Sequence, residues 1–217
     1  MKLVIGNKNY SSWSLRPWVL MHHAKLDFEE VNISLFTDEG ASLIDEWCPA
    51  KRVPVLHDGP LVLWDSLAIC EYIADKVTNM SLWPARSDER ARARAISAEM
   101  HAGFTDMRRA MPMNCRRAVA GFKPPLDAQI DINRIVQLFE DALQQSGGPW
   151  LFGHYTVADA MYAPVASRFL TYQIRLPVLS QGYIERTLDD APVKDWYKAA
   201  RAESAVIAQH EIEDALN

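Results

Sequence analysis

Cysteine is scarce in this sequence. The three residues, Cys48, Cys70 and Cys115, are odd in number and far apart, with no CxxC and no metal-type spacing. That pattern argues against both a disulfide framework and a zinc site. Long apolar runs are missing as well. No stretch approaches the roughly 18–20 consecutive apolar residues of a membrane span. The apolar run Leu3-Val4-Ile5 is too short for a signal-peptide core. Excess positive charge is also lacking: the net charge is -5, where a bulk nucleic-acid binder is usually basic. His22, His23, His57, His101, His154 and His210 show no ligand spacing, so no metal is expected. The expectation is a cytoplasmic protein that engages neither membrane nor nucleic acid.

What is present is ordinary globular composition, 49% hydrophobic and 24% charged, which excludes disorder and low-complexity classes. A chain of 217 residues suits one large domain or two small ones and can bury a sizeable core. Residues 1–80 carry 7 Lys+Arg against 11 Asp+Glu; residues 81–217 carry 16 against 17. The second part is the arginine-rich one.

The patterning also changes along the chain. Leu3-Val4-Ile5 reads as a buried strand, Leu15 to Lys25 as a helix, and Phe28 to Ile33 as a second strand. After a connection, Val53 to His57 and Leu61 to Trp64 flank Asp58-Gly59-Pro60 and predict a β-hairpin. Ser66 to Val77 is helical. Beyond residue 80 every signal is helical: Ser87 to Val119, interrupted or kinked at Pro112, then Gln129 to Gln145, Thr156 to Leu170, Pro177 to Leu188 and Pro192 to Ala202. Residues 80–84 form the boundary. Thr156-Val157-Ala158-Asp159 is a capping-box variant that serves folding. Trp47, Trp64, Trp83, Trp150 and Trp196 are expected in the core.

Three motifs carry chemistry. Tyr10-Ser11-Ser12-Trp13-Ser14-Leu15-Arg16 lies between the first strand and helix; Lys51-Arg52-Val53-Pro54-Val55-Leu56 opens the hairpin; Asp65-Ser66-Leu67-Ala68 starts the helix after it. In this order, with a helical second half, they resemble the cytosolic glutathione S-transferases over nearly the whole chain. The serine cluster is most similar to the zeta-like Ser-Ser-Cys-Ser pattern, with Trp13 standing where that pattern has cysteine. The resemblance implies an α/β thioredoxin-like N-terminal domain (1–80) for glutathione, an all-α helical C-terminal domain (87–217) with the acceptor pocket, and a homodimer.

It also implies roles. A free thiol has a pKa near ~8.5, and a hydroxyl at a helix N-terminus favours its thiolate. By match to the motif Ser11 is the expected catalytic residue, with Ser12 beside it. Trp13 lines the loop, and Arg16 adds positive potential. Val53, before a cis Pro54, pairs with the cysteinyl part of glutathione. Lys51 and Arg52 reach its glycyl carboxylate. Ser66, the expected N-cap, and Asp65 hold its γ-glutamyl end. Arg108, Arg109 and Met111 are the choice for the acceptor pocket, although Arg86, Arg90, Arg94, Arg108 and Arg109 also read as a solvated face with acidic partners. No cofactor is implied, because glutathione is a co-substrate and the second partner a small electrophile. The expected activity is conjugation of glutathione to that electrophile. Glutathione-dependent isomerisation of the maleylacetoacetate type, peroxide reduction, and glutathione binding without turnover remain open.

Overall fold

The computed structural model describes residues 1–212, so residues 213–217 of the expected 87–217 helical unit lie outside the described residues. The first part runs β1 (Lys2–Gly6), α1 (Ser12–His23), β2 (Glu29–Ile33), α2 (Asp38–Trp47), β3 (Val55–Asp58), β4 (Leu61–Trp64) and α3 (Ser66–Lys76). The second is helical: α4 (Ser87–Ala102), α5 (Thr105–Ala110), α6 (Leu126–Ser146), α7 (Val157–Thr171), α8 (Val178–Asp189) and α9 (Ala191–Ala202), followed by a 3-10 turn at Ala208–His210. This is the expected α/β unit joined to an all-α unit. No helix among the described residues is long and apolar enough to cross a membrane.

The sheet order is β2-β1-β3-β4, with β1 parallel to β2 and both other pairings antiparallel. Alternation along β1 explains its unbroken apolar run, because both faces are covered. Leu3 and Ile5 join Leu15, Val19, Ile69 and Ile73 in the main core, while Val4 joins Ile33, Cys48 and Val55 on the other face. Leu43, Ile44 and Trp47 of α2 close that second face. The sequence reads the α2 segment as a connection. Thr37 caps it by accepting from Gly40 N at 3.0 Å. Gly40 is required there, since a Cβ would sit 1.8 Å from the Ser34 carbonyl oxygen.

Helix α7 is the axis of the helical part. Every residue but Leu170 is buried, and it packs on α1, α3, α4 and α8. Its capping box forms as the sequence predicts. Asp159 Oδ2 accepts from Thr156 N at 2.8 Å and Oδ1 accepts from Leu151 N at 3.1 Å.

The expected helix over Ser87 to Val119 is corrected. It breaks at Gly103, whose extended backbone ends α4, and Phe104 follows in the left-handed region at φ 57. A carboxylate from elsewhere starts the next helix: Asp131 Oδ2 on α6 accepts from Asp106 N and Met107 N. Residues 111–125 are irregular, and the break precedes Pro112 rather than occurring at it. The loop after β1 recruits this segment. Asn9 Nδ2 donates to Asn114 Oδ1 at 3.0 Å, and Arg116 N donates to Asn9 Oδ1 at 3.1 Å.

Candidate active site

The site begins where β1 hands over to α1. Asn7 folds the loop back: its carbonyl accepts from Tyr10 N and Ser11 N, and its side-chain oxygen accepts from Leu35 N at 2.8 Å. Ser11 occupies the N-cap of α1 but makes no side-chain cap bond. Its hydroxyl instead donates to Ser14 Oγ at 2.7 Å, which itself accepts from Gly6 N at 3.1 Å. Ser14 therefore ties the helix to β1 and is not its cap. Ser12 accepts from Arg168 Nη2 at 3.3 Å.

A second helix start lies across the cleft. Asp65, not Ser66, is the N-cap of α3. Its Oδ1 accepts from Leu67 N at 2.9 Å and Ala68 N at 3.2 Å, and Oδ2 lies 3.0 Å from His101 Nε2 of α4. The turn that aims this carboxylate holds Asp65 at φ +78 and ψ 131, a strained backbone outside the left-handed helical region. The Ser66 hydroxyl accepts from Arg16 Nη1 at 3.3 Å, so one buried arginine joins both helix starts. The Val53–Pro54 peptide is cis, as the resemblance implies.

Two cavities open on these residues. One, of about 630 Å³, is lined by Tyr10, Ser11, Ser12, Phe36, Lys51, Arg108, Pro112, Met113, Arg168 and His210. The other, of about 710 Å³, is lined by Ala50, Pro54, Trp64, Asp65, Ser66 and His101. Trp13, Arg52 and Val53 line both, so the two form one cleft with a shared wall. Trp64, expected in the core, is 51% exposed at its edge.

Three buried or half-buried arginines dominate the electrostatics of this wall. The guanidinium groups of Arg16 and Arg108 lie 4.3 and 4.8 Å from the centre of the Trp13 ring. Arg16, Arg108 and Arg168 hydrogen-bond only neutral acceptors and have no ion-pair partner among the described residues. Burial pushes the Arg16 pKa down to about 9, helped by repulsion from Arg108 and Arg168. Burial and Arg108 push Arg168 down to about 10. Burial also lowers His101. Cations held this way leave a strong positive potential for an anion entering the cleft.

The cleft thus gathers Ser11, Ser12, Trp13, Arg52, Val53 and Arg108, with Pro54, Asp65 and Ser66 at its far end. Arg16 stands behind this wall rather than on its surface. Lys51 lines the rim but is paired with Asp45. Two residues chosen for the acceptor pocket lie elsewhere. Arg109 is exposed and paired with Asp106 at 2.9 Å. The Met111 side chain is buried in the core, and only its carbonyl matters here, accepting from Arg168 Nε at 2.7 Å. Arg86 pairs with Asp88, and Arg94 with Glu71. Sequence reasoning missed Arg168, His101 and His210. A lone arginine inside the apolar stretch of α7 is the signal that points to the first.

The C-terminal segment completes the first cavity. Glu211 accepts from Tyr10 Oη at 2.6 Å and Asn114 Nδ2 at 3.0 Å, and Arg116 reaches the Glu203 and Ala205 carbonyls. This places the His210 ring against Tyr10 and Phe36, at 5.7 and 6.0 Å.

Comparison with known proteins follows the same division. Residues 10–76 match the model of the glutathione S-transferase N-terminal domain, and residues 89–199 match that of its C-terminal domain. The chain is 29% identical to a Caenorhabditis elegans protein named "Probable maleylacetoacetate isomerase", over 84% of this chain and 86% of that one. It is 27% identical to the solved glutathione transferase of Methylococcus capsulatus, covering 92% of this chain and 98% of that one with a TM-score of 0.69. A zeta-class bacterial maleyl pyruvate isomerase is alike in fold, with a TM-score of 0.72 at 22% identity over 94% of this chain and all of that one.

Proposed function

The chain belongs to the glutathione S-transferase family, and from that premise we propose that its cleft binds glutathione and joins the glutathione sulfur to a small electrophile. The observation that carries this reading is the shared wall of Trp13, Arg52 and Val53 between two helix starts. One start presents hydroxyls, and the other presents the Asp65 carboxylate and the Ser66 hydroxyl, with the Leu67 and Ala68 N–H groups already taken by Asp65.

The chemistry of each end fits one part of the tripeptide. The γ-glutamyl carboxylate sits at Ser66, the first residue of α3, where the helix dipole favours an anion while Asp65 holds the Leu67 and Ala68 N–H groups. Asp65 takes the adjacent ammonium. The cysteinyl backbone lies along Val53, and the glycyl carboxylate reaches the rim of Lys51 and Arg52. The thiol then falls at the start of α1 beside Ser11 and Ser12. There the helix dipole and the buried arginines favour the thiolate over the thiol, and the proton passes to solvent. The sulfur lone pair attacks the electrophilic carbon. A C–S bond forms, and the leaving group departs with its electron pair. The acceptor occupies the larger apolar part of the first cavity, against Tyr10, Phe36, Pro112 and Met113.

A second reading has specific support. Arg108 and Arg168 put two cations on the acceptor cavity, and a relative matched over most of the chain is named "Probable maleylacetoacetate isomerase". Glutathione-dependent isomerisation of an anionic substrate is therefore the alternative. A cytoplasmic homodimer belongs to the same proposal, supported by the family.

Retention on immobilised glutathione, followed by turnover of an electrophile panel that includes an isomerase substrate and a hydroperoxide, tests both. Retention with conjugation is expected. Retention without turnover leaves only a glutathione-binding protein, and failure of both overturns the proposal.

A further inference from the structure

The two neighbouring serines are not equivalent. Ser11 Oγ spends its hydrogen on Ser14 Oγ at 2.7 Å, and Ser14 is held in turn by Gly6 N. Ser12 Oγ does the reverse: it accepts from Arg168 Nη2 at 3.3 Å, and no acceptor among the described residues takes its own hydrogen. Ser12 lines the cleft at the first residue of α1, where the helix dipole is strongest.

Arg168 is built to act on it. It is 4% exposed and fixed by three neutral partners: Met111 O at 2.7 Å, Pro164 O at 3.2 Å and Ser12. The titratable and charged groups that face it are Arg16, Arg108, Cys115, Tyr172, Tyr197 and His210, none of them a carboxylate. A buried guanidinium in such a shell is costly without an anion. A hydroxyl that accepts from a cation becomes a stronger donor, because hydrogen bonds in a chain polarise one another.

Resting on the glutathione reading above, we propose that Ser12 is the hydroxyl that donates to the glutathione thiolate, that Arg168 is the positioning residue that orients and polarises Ser12, and that Ser11 serves mainly to shape the loop. The bound anion is then the missing counter-charge for Arg168.

The test is an ultraviolet titration of the thiolate of glutathione bound to the full-length protein and its variants. Ser12→Ala raises the bound thiol pKa by about one unit, an about tenfold loss of thiolate at pH values well below the wild-type midpoint. Ser11→Ala raises it by less than half as much. Arg168→Gln reproduces the Ser12→Ala shift, Arg168→Lys restores part of it, and the Ser12→Ala/Arg168→Gln double variant shifts no further than either single one. Additive shifts, or a larger effect from Ser11→Ala than from Ser12→Ala, overturn the inference. Should the Arg168 variants fail to fold, the two serine variants decide the question by themselves. Wild-type protein that binds no glutathione by calorimetry removes the glutathione reading itself, and this inference falls with it. Wild type that binds with a lowered thiol pKa which Ser12→Ala leaves in place removes only this inference.

Discussion

Helices α1 and α7 both start at a hydroxyl residue, and the two starts are finished in opposite ways. At α7 Thr156 and Asp159 close the end completely. The carboxylate accepts from Leu151 N, Thr156 N and Thr156 Oγ1, and Thr156 Oγ1 accepts from Ala158 N. At α1 Ser11 makes no cap bond, no acidic residue stands in the first turn, and the end opens on a cavity. The same physics of unpaired N–H groups is spent on stability in one place and kept available in the other. Helix α3 lies between them: Asp65 caps two of its N–H groups while its other oxygen reaches His101 beside the cleft.

Removing the closed cap is the severest way to break this comparison. Asp159→Ala strands two buried backbone donors and a hydroxyl, and the expected loss is about 3 kcal/mol in urea unfolding. A loss below about 1 kcal/mol defeats the assignment of α7 as the closed end.

Acid separates the ends next. Burial pushes the Asp159 carboxyl up to about 6 in the folded protein, against about 3.9 in an unfolded chain. The folded state therefore takes up the proton first. This group's contribution to stability is greatest below pH ~4 and is lost as pH rises through about 6. Wild type should gain about 2–3 kcal/mol on Asp159→Asn between pH 7 and pH 4. A pH-independent difference between the two proteins contradicts the shift.

Asp65→Asn sharpens the intermediate case. The amide oxygen keeps the cap, so stability should hold within about 0.5 kcal/mol. The lost charge should weaken glutathione binding about tenfold in calorimetry. A large loss of stability with unchanged affinity reverses the reading of α3.

The smallest stability effect belongs to the open end. Ser11→Ala removes no cap bond and should cost under about 1 kcal/mol in unfolding. A cost as large as that of Asp159→Ala would show that α1 too is closed by its cap.

Much of the fold was legible. The apolar run at Leu3–Ile5, the Asp58-Gly59 turn and the Thr156–Asp159 box are local patterns whose meaning does not depend on what packs around them. Helix α2 was not legible because its Gly40, unfavourable inside a helix, is demanded by a contact outside it, the close approach of the Ser34 carbonyl. The break at Gly103–Phe104 was missed because the cap of α5 comes from Asp131, twenty-five residues on. For the cleft, residues 10–16, 51–54 and 65–66 were readable as motifs. The rest of its wall comes from Arg108, Pro112, Met113, Arg168 and His210, which no local spacing brings together.

The sequence by itself determined the four strands, most of the helices, the family resemblance, and the two helix starts that face the cleft. Those depend on periodicity, capping and turn chemistry within a few residues of one another. Only the tertiary structure decided that Asp65 caps α3 in place of Ser66, that Arg109 and Met111 stand outside the acceptor cavity, and that three arginines with no ion-pair partner among the described residues converge at the cleft. Burial, hydrogen-bond direction and uncompensated charge are properties of neighbours in space. Arg168 and Ser12 are 156 residues apart in the chain and 3.3 Å apart in the fold.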